Sequence, residues 1–262
     1  AAAAAPVRPR ARAGETVLRL TDLEPGAGLA ELSCAAGEVI GIAGVEGNGQ
    51  QRLAAALAGL DRSGRYRVEL EGEDVTAMGA RERAAAGVAY VPEDPASSAL
   101  VPGFPITWNL GLRIYRSPRL RSLRWFVDMN ALRSRAAEEI AAFDIRGATP
   151  DLRTAALSGG NRQKVVLARE LDSEPRLLIV VDPTVGLDVG AAQNVYTALR
   201  EHRDRGAAIV LISTDLDEIE DLSDRIAVLY RGSVVGVVEA EAGERRAVGM
   251  MMTGLGGGGD AG

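Results

Sequence analysis

The sequence predicts an α/β fold with a mostly parallel core sheet. Three continuous apolar runs of the type found in buried strands carry this prediction, and they place strands near 39–44, 177–181 and 208–213. The first run, VIGIAG, leads into a glycine-rich turn and then a helical stretch. The 262 residues, 47% of them hydrophobic, provide material for one large α/β domain with a helical lobe.

Further elements are expected to flank this core. VLRL at 17–20 and RYRVEL at 65–70 predict an antiparallel β region on its N-terminal side. Residues 95 to about 156 are expected to form an inserted helical lobe. RIAVLYRGSVVGVVEA, near the end of the domain, alternates turn and apolar residues like a β-hairpin about Gly232.

One domain is expected over residues 15–253, between a linker at 1–14 and a disordered tail at 254–262. The start, AAAAAPVRPRARAG, has no initiator Met and no apolar core of signal-peptide length, so we expect the chain to be part of a longer protein. Cys34 is the only cysteine, which excludes an internal disulfide framework and suits the cytosol. No apolar run approaches the roughly 18 residues needed to span a bilayer, so action at a membrane would require partners.

The glycine-rich turn GVEGNG, at 44–49, lies between the first core strand and the helical stretch QQRLAAALAGL. This is the strand, loop and helix layout of a phosphate-binding loop, whose backbone N–H groups can cradle phosphate. A tight turn kept only for the fold is the alternative. The candidate nucleotide-binding residues of the loop are Gly44, Val45, Glu46, Gly47, Asn48, Gly49, Gln50 and Gln51.

A second candidate site is the segment LSGGNRQK at 157–164. Ser158, Gly159 and Gly160 open a predicted helix with an apolar face. A hydroxyl and unpaired N–H groups at the positive end of a helix dipole form a ready anion site, and the glycines let a phosphate approach the backbone. The alternative is a Ser-Gly-Gly helix start with no ligand.

Together with YVPED at 90–94 and PTVGLD at 183–188, these motifs resemble the nucleotide-binding domain of an ABC transporter, from about Val17 to Met252. The pattern is most similar to the second, C-terminal domain of the tandem ATPases that serve bacterial sugar and nucleoside importers. The resemblance implies a P-loop NTPase fold of the ABC type, with ATP and Mg²⁺ as cofactors. It also gives each candidate residue an expected role.

In this family the phosphate loop reads GxxxxGK[ST], and Gly44 and Gly49 align with its two fixed glycines. The alignment puts Gln50 at the lysine position and Gln51 at the Mg²⁺-ligating hydroxyl. A neutral hydrogen bond from Gln50 is worth about 1 kcal/mol, against about 1.5–3 kcal/mol for a charge-assisted bond. Lys164, the only lysine, lies in the second motif, so no other loop can supply the ammonium group.

The acidic residues that the resemblance implies are also replaced. Counting back from the PT of PTVGLD, the Mg²⁺-positioning aspartate falls on Val181 and the catalytic glutamate falls on Asp182, which is one methylene shorter. Asp182 is therefore the candidate catalytic residue, although a displacement of about 1 Å in a positioned group can cost on the order of 10²-fold in rate. The Mg²⁺-sensing glutamine falls on Glu93, which could ligate a cation or cap the local turn.

The switch histidine that the resemblance implies falls on Thr214. His202, the only histidine, lies in the polar stretch LREHRDRG and is expected to face solvent. The first aromatic residue is Tyr66, so no ring precedes the glycine loop to stack on adenine. The lysine, hydroxyl, aspartate, glutamate, glutamine, histidine and adenine platform are thus absent or replaced. We therefore predict that the nucleotide site of this domain's own loop binds ATP and Mg²⁺ weakly or not at all, and we assign no metal ligands.

The intact signature implies a partner. In this family two domains close face to face, so Ser158, Gly159 and Gly160 are expected to act on nucleotide held by a second ABC nucleotide-binding domain, in the same full-length chain. The other implied partners are integral membrane permease subunits and, indirectly, a periplasmic or lipoprotein substrate-binding protein. The chain is then the ATP-binding component of an importer for nucleosides or simple sugars, peripheral on the cytoplasmic face of the cell membrane.

The stretch LRIYRSPRLRSLRW, at 112–125, could contact nucleic acid phosphates. Its basic and aromatic members are Arg113, Arg116, Arg119, Arg121, Arg124, Tyr115 and Trp125. The net charge of −6 opposes nucleic-acid binding, and the stretch falls where the family meets its membrane subunits. We therefore expect a solvated basic face near lipid headgroups or the membrane partner, and no nucleic-acid partner.

Two alternatives stay open. One is an independent ABC-type ATPase in which Asp182 and Glu93 compensate, which loss of turnover in Asp182→Asn would support. The other is a soluble non-transport ABC protein that acts on DNA or ribosomes. Chromosome and repair relatives insert long coiled coils between the loop and the signature, whereas Gly44 to Ser158 spans 114 positions (158 minus 44) without sustained heptads.

Overall fold

The computed structural model describes residues 14–26, 28–114, 121–122, 126–241 and 244–254, so the linker predicted at 1–14 and the tail predicted at 254–262 lie almost entirely outside the described residues. The strands are β1 (Thr16–Asp22), β2 (Glu31–Ala35), β3 (Val39–Ala43), β4 (Tyr66–Leu70), β5 (Glu73–Asp74), β6 (Val88–Val91), β7 (Arg121–Ser122), β8 (Phe126–Val127), β9 (Leu177–Val181), β10 (Ala208–Ser213), β11 (Arg225–Tyr230) and β12 (Ser233–Glu239). The helices are α1 (Gln50–Leu57), α2 (Ala80–Ala85), α3 (Pro95–Ser98), α4 (Ile106–Ile114), α5 (Met129–Ala142), α6 (Gly159–Asp172), α7 (Val189–Asp204), α8 (Leu216–Leu222) and α9 (Arg245–Met252). Within the described ranges, no helix combines the length and the apolar character needed to cross a membrane.

The larger sheet has the strand order β12-β11-β3-β10-β9-β6. Neighbours from β11 to β6 pair in parallel, and β12 runs antiparallel to β11. The register pairs Ile209 of β10 with Val39 of β3. Every residue of β3, β9 and β10 is buried, which explains their continuous apolar runs. The predicted parallel core and the hairpin about Gly232 are confirmed, and β3 ends one residue earlier than predicted.

A smaller antiparallel sheet, in the order β2-β1-β4-β5, covers one side of the core. Leu18 and Leu20 of β1 alternate with more exposed residues, and so do Val68 and Leu70 of β4. These buried side chains pack in one cluster with α1 and the parallel sheet. The predicted antiparallel β region is therefore confirmed, with period-2 alternation as its physical basis.

The inserted lobe lies between β6 and α6 and contains α3, α4, α5, the hairpin β7–β8 and the 3-10 helix Thr154–Ala156. A buried amide holds it together, because Asn109 accepts from the backbone N of Val101 at 2.9 Å and donates to Thr154 Oγ1 at 3.2 Å. Helix α4 packs on both α5 and α6. The predicted helical lobe is confirmed, and its tight packing fixes the start of α6.

The predicted basic face is wrong at Arg113, which points inward. Its Nε lies 3.4 Å from Glu170 Oε2, and its Nη2 donates to the carbonyl of Val88 at 2.8 Å. Glu170 is 3% exposed and also accepts from Arg169 Nε at 2.8 Å. A buried carboxylate needs paired charge, and it draws both guanidinium groups inward. Arg116, Arg119, Arg124, Tyr115 and Trp125 lie outside the described residues.

The carboxyl ends of four parallel strands meet at one edge of the large sheet. The glycine loop follows β3, and Glu93 follows β6. Asp182 comes directly after β9, and Thr214 comes directly after β10. Ligand sites of parallel α/β sheets form at this edge, so the fold places the predicted site residues there together.

Candidate functional site

The glycine loop keeps a shape that suits a phosphate cradle. Gly47 has a φ of 86° and Gly49 a φ of 104°, a backbone region that glycine adopts without the strain of a Cβ. The loop is fastened to the β11–β12 hairpin through Asn48. Its carbonyl accepts from the N–H of Gly232 at 2.8 Å, and its side-chain Oδ1 accepts from the N–H of Arg231 at 3.0 Å.

The two glutamines that follow the loop are bonded within the protein. Gln50 is 7% exposed, and its Nε2 donates to the carbonyl of Val45 at 2.9 Å. Gln51 is exposed, and its Nε2 donates to the Glu93 carboxylate. Glu46 is exposed in the loop. The groups that would meet a phosphate and its cation are therefore neutral amides that already have acceptors.

Asp182 is held by Thr214, so the structure brings these two predicted residues together. Asp182 Oδ1 accepts from the N–H of Thr214 at 3.0 Å and from its Oγ1 at 3.3 Å. Asp182 is 8% exposed and has a φ of 43°, in the left-handed region that aspartate tolerates better than most residues. Val181 is buried in the core cluster. The carboxylate therefore serves as a local anchor between the ends of β9 and β10.

A buried carboxyl beside Asp182 was missed by the sequence reasoning. Glu218, on α8, is 2% exposed and accepts a hydrogen bond from Thr184 Oγ1 at 2.7 Å. Burial raises the pKa of Glu218, and the nearby Asp182 charge raises it further. Burial and then the Glu218 charge raise the pKa of Tyr196 to about 12. The available signal was helical spacing, since Glu218 lies four residues before Leu222 on the buried face of α8.

The signature segment begins α6, as predicted. Ser158 is the N-cap, and its Oγ accepts from the N–H of Asn161 at 3.4 Å. A Cβ at Gly160 would lie 3.1 Å from the carbonyl of Gly186, so this glycine permits close packing. A Cβ at Gly159 would meet no atom of another described residue within 4 Å, apart from its own helix. One glycine therefore serves the fold, and the other leaves the helix start open to a ligand.

A cavity of about 590 Å³ opens over this helix start. Ser158, Gly159 and Gly160 line it together with Glu93 and Asp188. Asp188 is the N-cap of α7 and accepts from the N–H of residue 191 at 2.8 Å. The structure thus gathers the signature and Glu93 around one cavity. Gln50, Asp182 and Thr214 do not line this cavity.

Two further residues make structural hydrogen bonds, and a third is more buried than predicted. Lys164 is 5% exposed, and its Nζ donates to the carbonyl of Asp144 at 2.7 Å. Tyr66 is buried and donates its hydroxyl to the carbonyl of Gly232 at 3.0 Å. The prediction that His202 faces solvent is wrong, because the ring is half-buried in the last turn of α7. Burial lowers the pKa of His202 to about 4.

The residues at the Mg²⁺ position do not fit a tightly held ion. Gln51 and Glu93 are bonded to each other, and Val181, at the family's aspartate position, offers no ligand atom. Mg²⁺ requires near-octahedral oxygen ligands at short distances. Across the described ranges, no cluster of three or more histidine, cysteine or acidic residues could hold a metal ion.

A family profile described as ABC transporter matches residues 29–185. The nucleoside import ATP-binding protein NupA of Lactococcus lactis is 40% identical over 223 residues, which are 85% of this chain and 44% of that protein. The glucose import ATP-binding protein TsgD13 of Haloferax volcanii is 39% identical over 97% of this chain and 47% of its own length. The chain therefore spans less than half the length of these curated relatives.

Solved structures share the fold at lower identity. The ATP-binding cassette MJ0796, as a dimer in a post-hydrolysis state with ADP and phosphate, has a TM-score of 0.71 and 20% identity, covering 86% of this chain and 99% of that one. A nucleotide-free cassette from an ABC transporter has a TM-score of 0.69 and 19% identity, covering 86% and 92%. With a family match over more than half of its residues, this chain belongs to the ABC transporter ATP-binding domain family.

Proposed function

We propose that this chain is a hydrolysis-deficient nucleotide-binding domain of an ABC importer for nucleosides or simple sugars. Its own loop at 44–51 binds ATP and Mg²⁺ weakly or not at all. Its signature, Ser158 to Gly160, completes the ATP site of a second nucleotide-binding domain. The names of NupA and TsgD13, which are import ATP-binding proteins for nucleoside and glucose, support the transported class.

The contrast between the two halves of the site carries this proposal. The side chains of Gln50, Gln51 and Asp182 are bonded to neighbouring protein groups. At the helix start a Cβ on Gly159 would meet no atom of the described residues within 4 Å, and the segment opens onto a cavity of about 590 Å³. In this domain the side chains at the loop are already hydrogen-bonded, whereas the signature faces a cavity. Such a domain suits a pair of nucleotide-binding domains in which only one ATP site is active.

The chemistry of the signature follows from the helix start. Ser158 Oγ and the first N–H groups of the 14-residue helix α6 present donors at the positive end of the helix dipole. Donors fixed at this point stabilise the negative charge that a terminal phosphate carries during transfer. They need no charged side chain of their own, so the role survives the loss of the loop lysine.

The proposed partners follow from a signature that acts on the ATP site of a second domain. The two curated relatives are more than twice as long as the part this chain matches, since it covers 44% and 47% of them. That leaves room for a second nucleotide-binding domain in the same full-length chain. Integral membrane permease subunits, and indirectly a periplasmic or lipoprotein substrate-binding protein, complete the importer. The domain then lies at the cytoplasmic face of the cell membrane, held by its permease.

Mg²⁺-dependent ATP turnover tests the proposal, measured on the full-length protein with its partner domain and on this chain alone. We expect no turnover by the chain alone, and no effect of Asp182→Asn on the full-length protein. Ser158→Arg should abolish full-length turnover, whereas Thr197→Arg, a control at an exposed position of α7, should not. Turnover by the isolated chain that Asp182→Asn removes would replace the proposal with an independent ATPase.

A further inference from the structure

We propose that Arg146 is a nucleotide-contacting residue, which binds the phosphate groups of the partner-held nucleotide beside the signature. This inference rests on the proposed function and adds a cation to it. Arg146 lines the same cavity as Ser158, Gly159 and Gly160. The signature contributes neutral donors, so a guanidinium at the rim would supply the charge that matches a polyphosphate.

The backbone at Arg146 is tied to the signature helix. Asn161 Nδ2, in the first turn of α6, donates to the carbonyl of Arg146 at 3.1 Å. The Arg146 side chain is 70% exposed, so it can turn toward a ligand while its backbone stays in place. The residue is thus positioned by the same helix start that presents Ser158.

Arg146 is the basic residue of the cavity lining that can reach a ligand. Lys164 is the other basic residue described there, and its side chain is 6% exposed. The Lys164 ammonium donates to the carbonyl of Asp144 at 2.7 Å and is committed to that contact. The charge offered to an incoming phosphate therefore comes from Arg146.

Two exposed carboxylates pair with Arg146. Its Nε lies 2.9 Å from Asp144 Oδ2, and its Nη1 lies 3.8 Å from Asp188 Oδ2. Asp144 and Asp188 are 49% and 63% exposed, so solvent screens both pairs. A nucleotide polyphosphate carries more charge than one carboxylate and accepts bidentate bonds from arginine. It can therefore displace the longer contact while Asp188 remains the N-cap of α7.

The lining of the cavity also contains a buried amide without an internal hydrogen-bond partner. Gln163, also in the cavity lining, is 3% exposed, and within the described part of the chain neither its Nε2 nor its Oε1 has a hydrogen-bond partner. An unpaired buried polar group costs about 1–3 kcal/mol. Such a cost is retained where a ligand or ordered water completes the site.

The test measures Mg²⁺-ATP turnover of the full-length protein as a function of ATP concentration. We expect Arg146→Gln to raise KM roughly ten-fold, the lower end expected for a charge-assisted bond, while kcat changes little. Arg146→Lys should recover part of the loss. Arg133→Gln is the matched control, because Arg133 is another exposed arginine of the same lobe, 58% exposed and paired with Asp151, and neither residue lines the cavity.

The salt dependence of KM separates a phosphate contact from a structural role. Loss of a cation that meets phosphate should weaken the rise of KM with salt, which a packing defect would not do. If Arg146→Gln matches Arg133→Gln while Ser158→Arg abolishes turnover, the inference is wrong and the proposed function stands. If Ser158→Arg also leaves turnover intact, the proposed function itself is wrong.

Discussion

Asp182 offers a direct comparison between a structural and a catalytic carboxylate. Its Oδ1 accepts two hydrogen bonds from Thr214, and its φ of 43° lies in the left-handed region. Asparagine retains an acceptor oxygen and tolerates the same backbone. Alanine retains neither property. We therefore expect Asp182→Asn to stay close to the parent in stability and Asp182→Ala to fall well below it.

The size of the Asp182→Ala effect follows from two terms. Removing the acceptor of the N–H of Thr214, an exposed residue, costs about 1–2 kcal/mol. Holding a Cβ-bearing residue without a local polar side chain in the left-handed region costs about 1 kcal/mol. The sum is about 2–3 kcal/mol for Asp182→Ala, against less than about 1 kcal/mol for Asp182→Asn. For a domain of this size the larger value lowers Tm by about 5–10 °C.

Urea unfolding followed by far-ultraviolet circular dichroism measures these differences. Turnover by the full-length protein is assayed on the same preparations at a temperature where each variant is folded. Equal destabilisation of Asp182→Asn and Asp182→Ala would refute the argument that the acceptor and the backbone region set the cost. Loss of turnover in a stable Asp182→Asn would return Asp182 to a catalytic role.

Two further predictions concern pH. His202 is the only histidine, so its NMR titration is unambiguous. We expect a midpoint near pH 4, since burial and then the Arg205 charge oppose protonation. A midpoint near pH 6.5 would contradict the buried environment. Because this pKa is lowered, His202 contributes stability that is lost as pH falls from about 6.5 toward 4. Glu218 has a raised pKa, so its contribution is present below the unfolded value of 4.5 and is lost as pH rises through the folded value. Urea midpoints at pH 5 and pH 8 should therefore differ less in Glu218→Gln than in the parent, and an unchanged difference would assign the slope to other groups.

The parallel core and the place of the site could be predicted because their signals are local. Strands buried on both faces must be continuously apolar. Because parallel strands all end at the same edge of the sheet, the residue that follows each strand lies at the carboxyl edge. Asp182 and Thr214 each follow a predicted core strand, so the sequence alone puts both at that edge. Their mutual hydrogen bonds follow from the pairing of β9 with β10.

The partners of individual polar side chains could not be predicted, because they depend on tertiary contacts. The bond from Gln51 to Glu93 joins residues 42 positions apart, and the bond from Thr184 to Glu218 joins residues 34 apart. The prediction of a solvated basic face was wrong at Arg113 for the same reason, since the buried carboxylate of Glu170 on α6 decides where that guanidinium lies. A basic stretch in a sequence does not reveal which of its members are already paired.

The single lysine gives the domain a built-in chemical reporter of the contact between α6 and the end of α5. Lys164 carries the only side-chain amine of the sequence. Its Nζ donates a hydrogen bond to the carbonyl of Asp144, just beyond the end of α5. An acylating reagent can modify that nitrogen only when its bond to the Asp144 carbonyl is broken. The rate of acylation at Lys164 would therefore read out the opening of this contact directly, at one position and without an introduced probe.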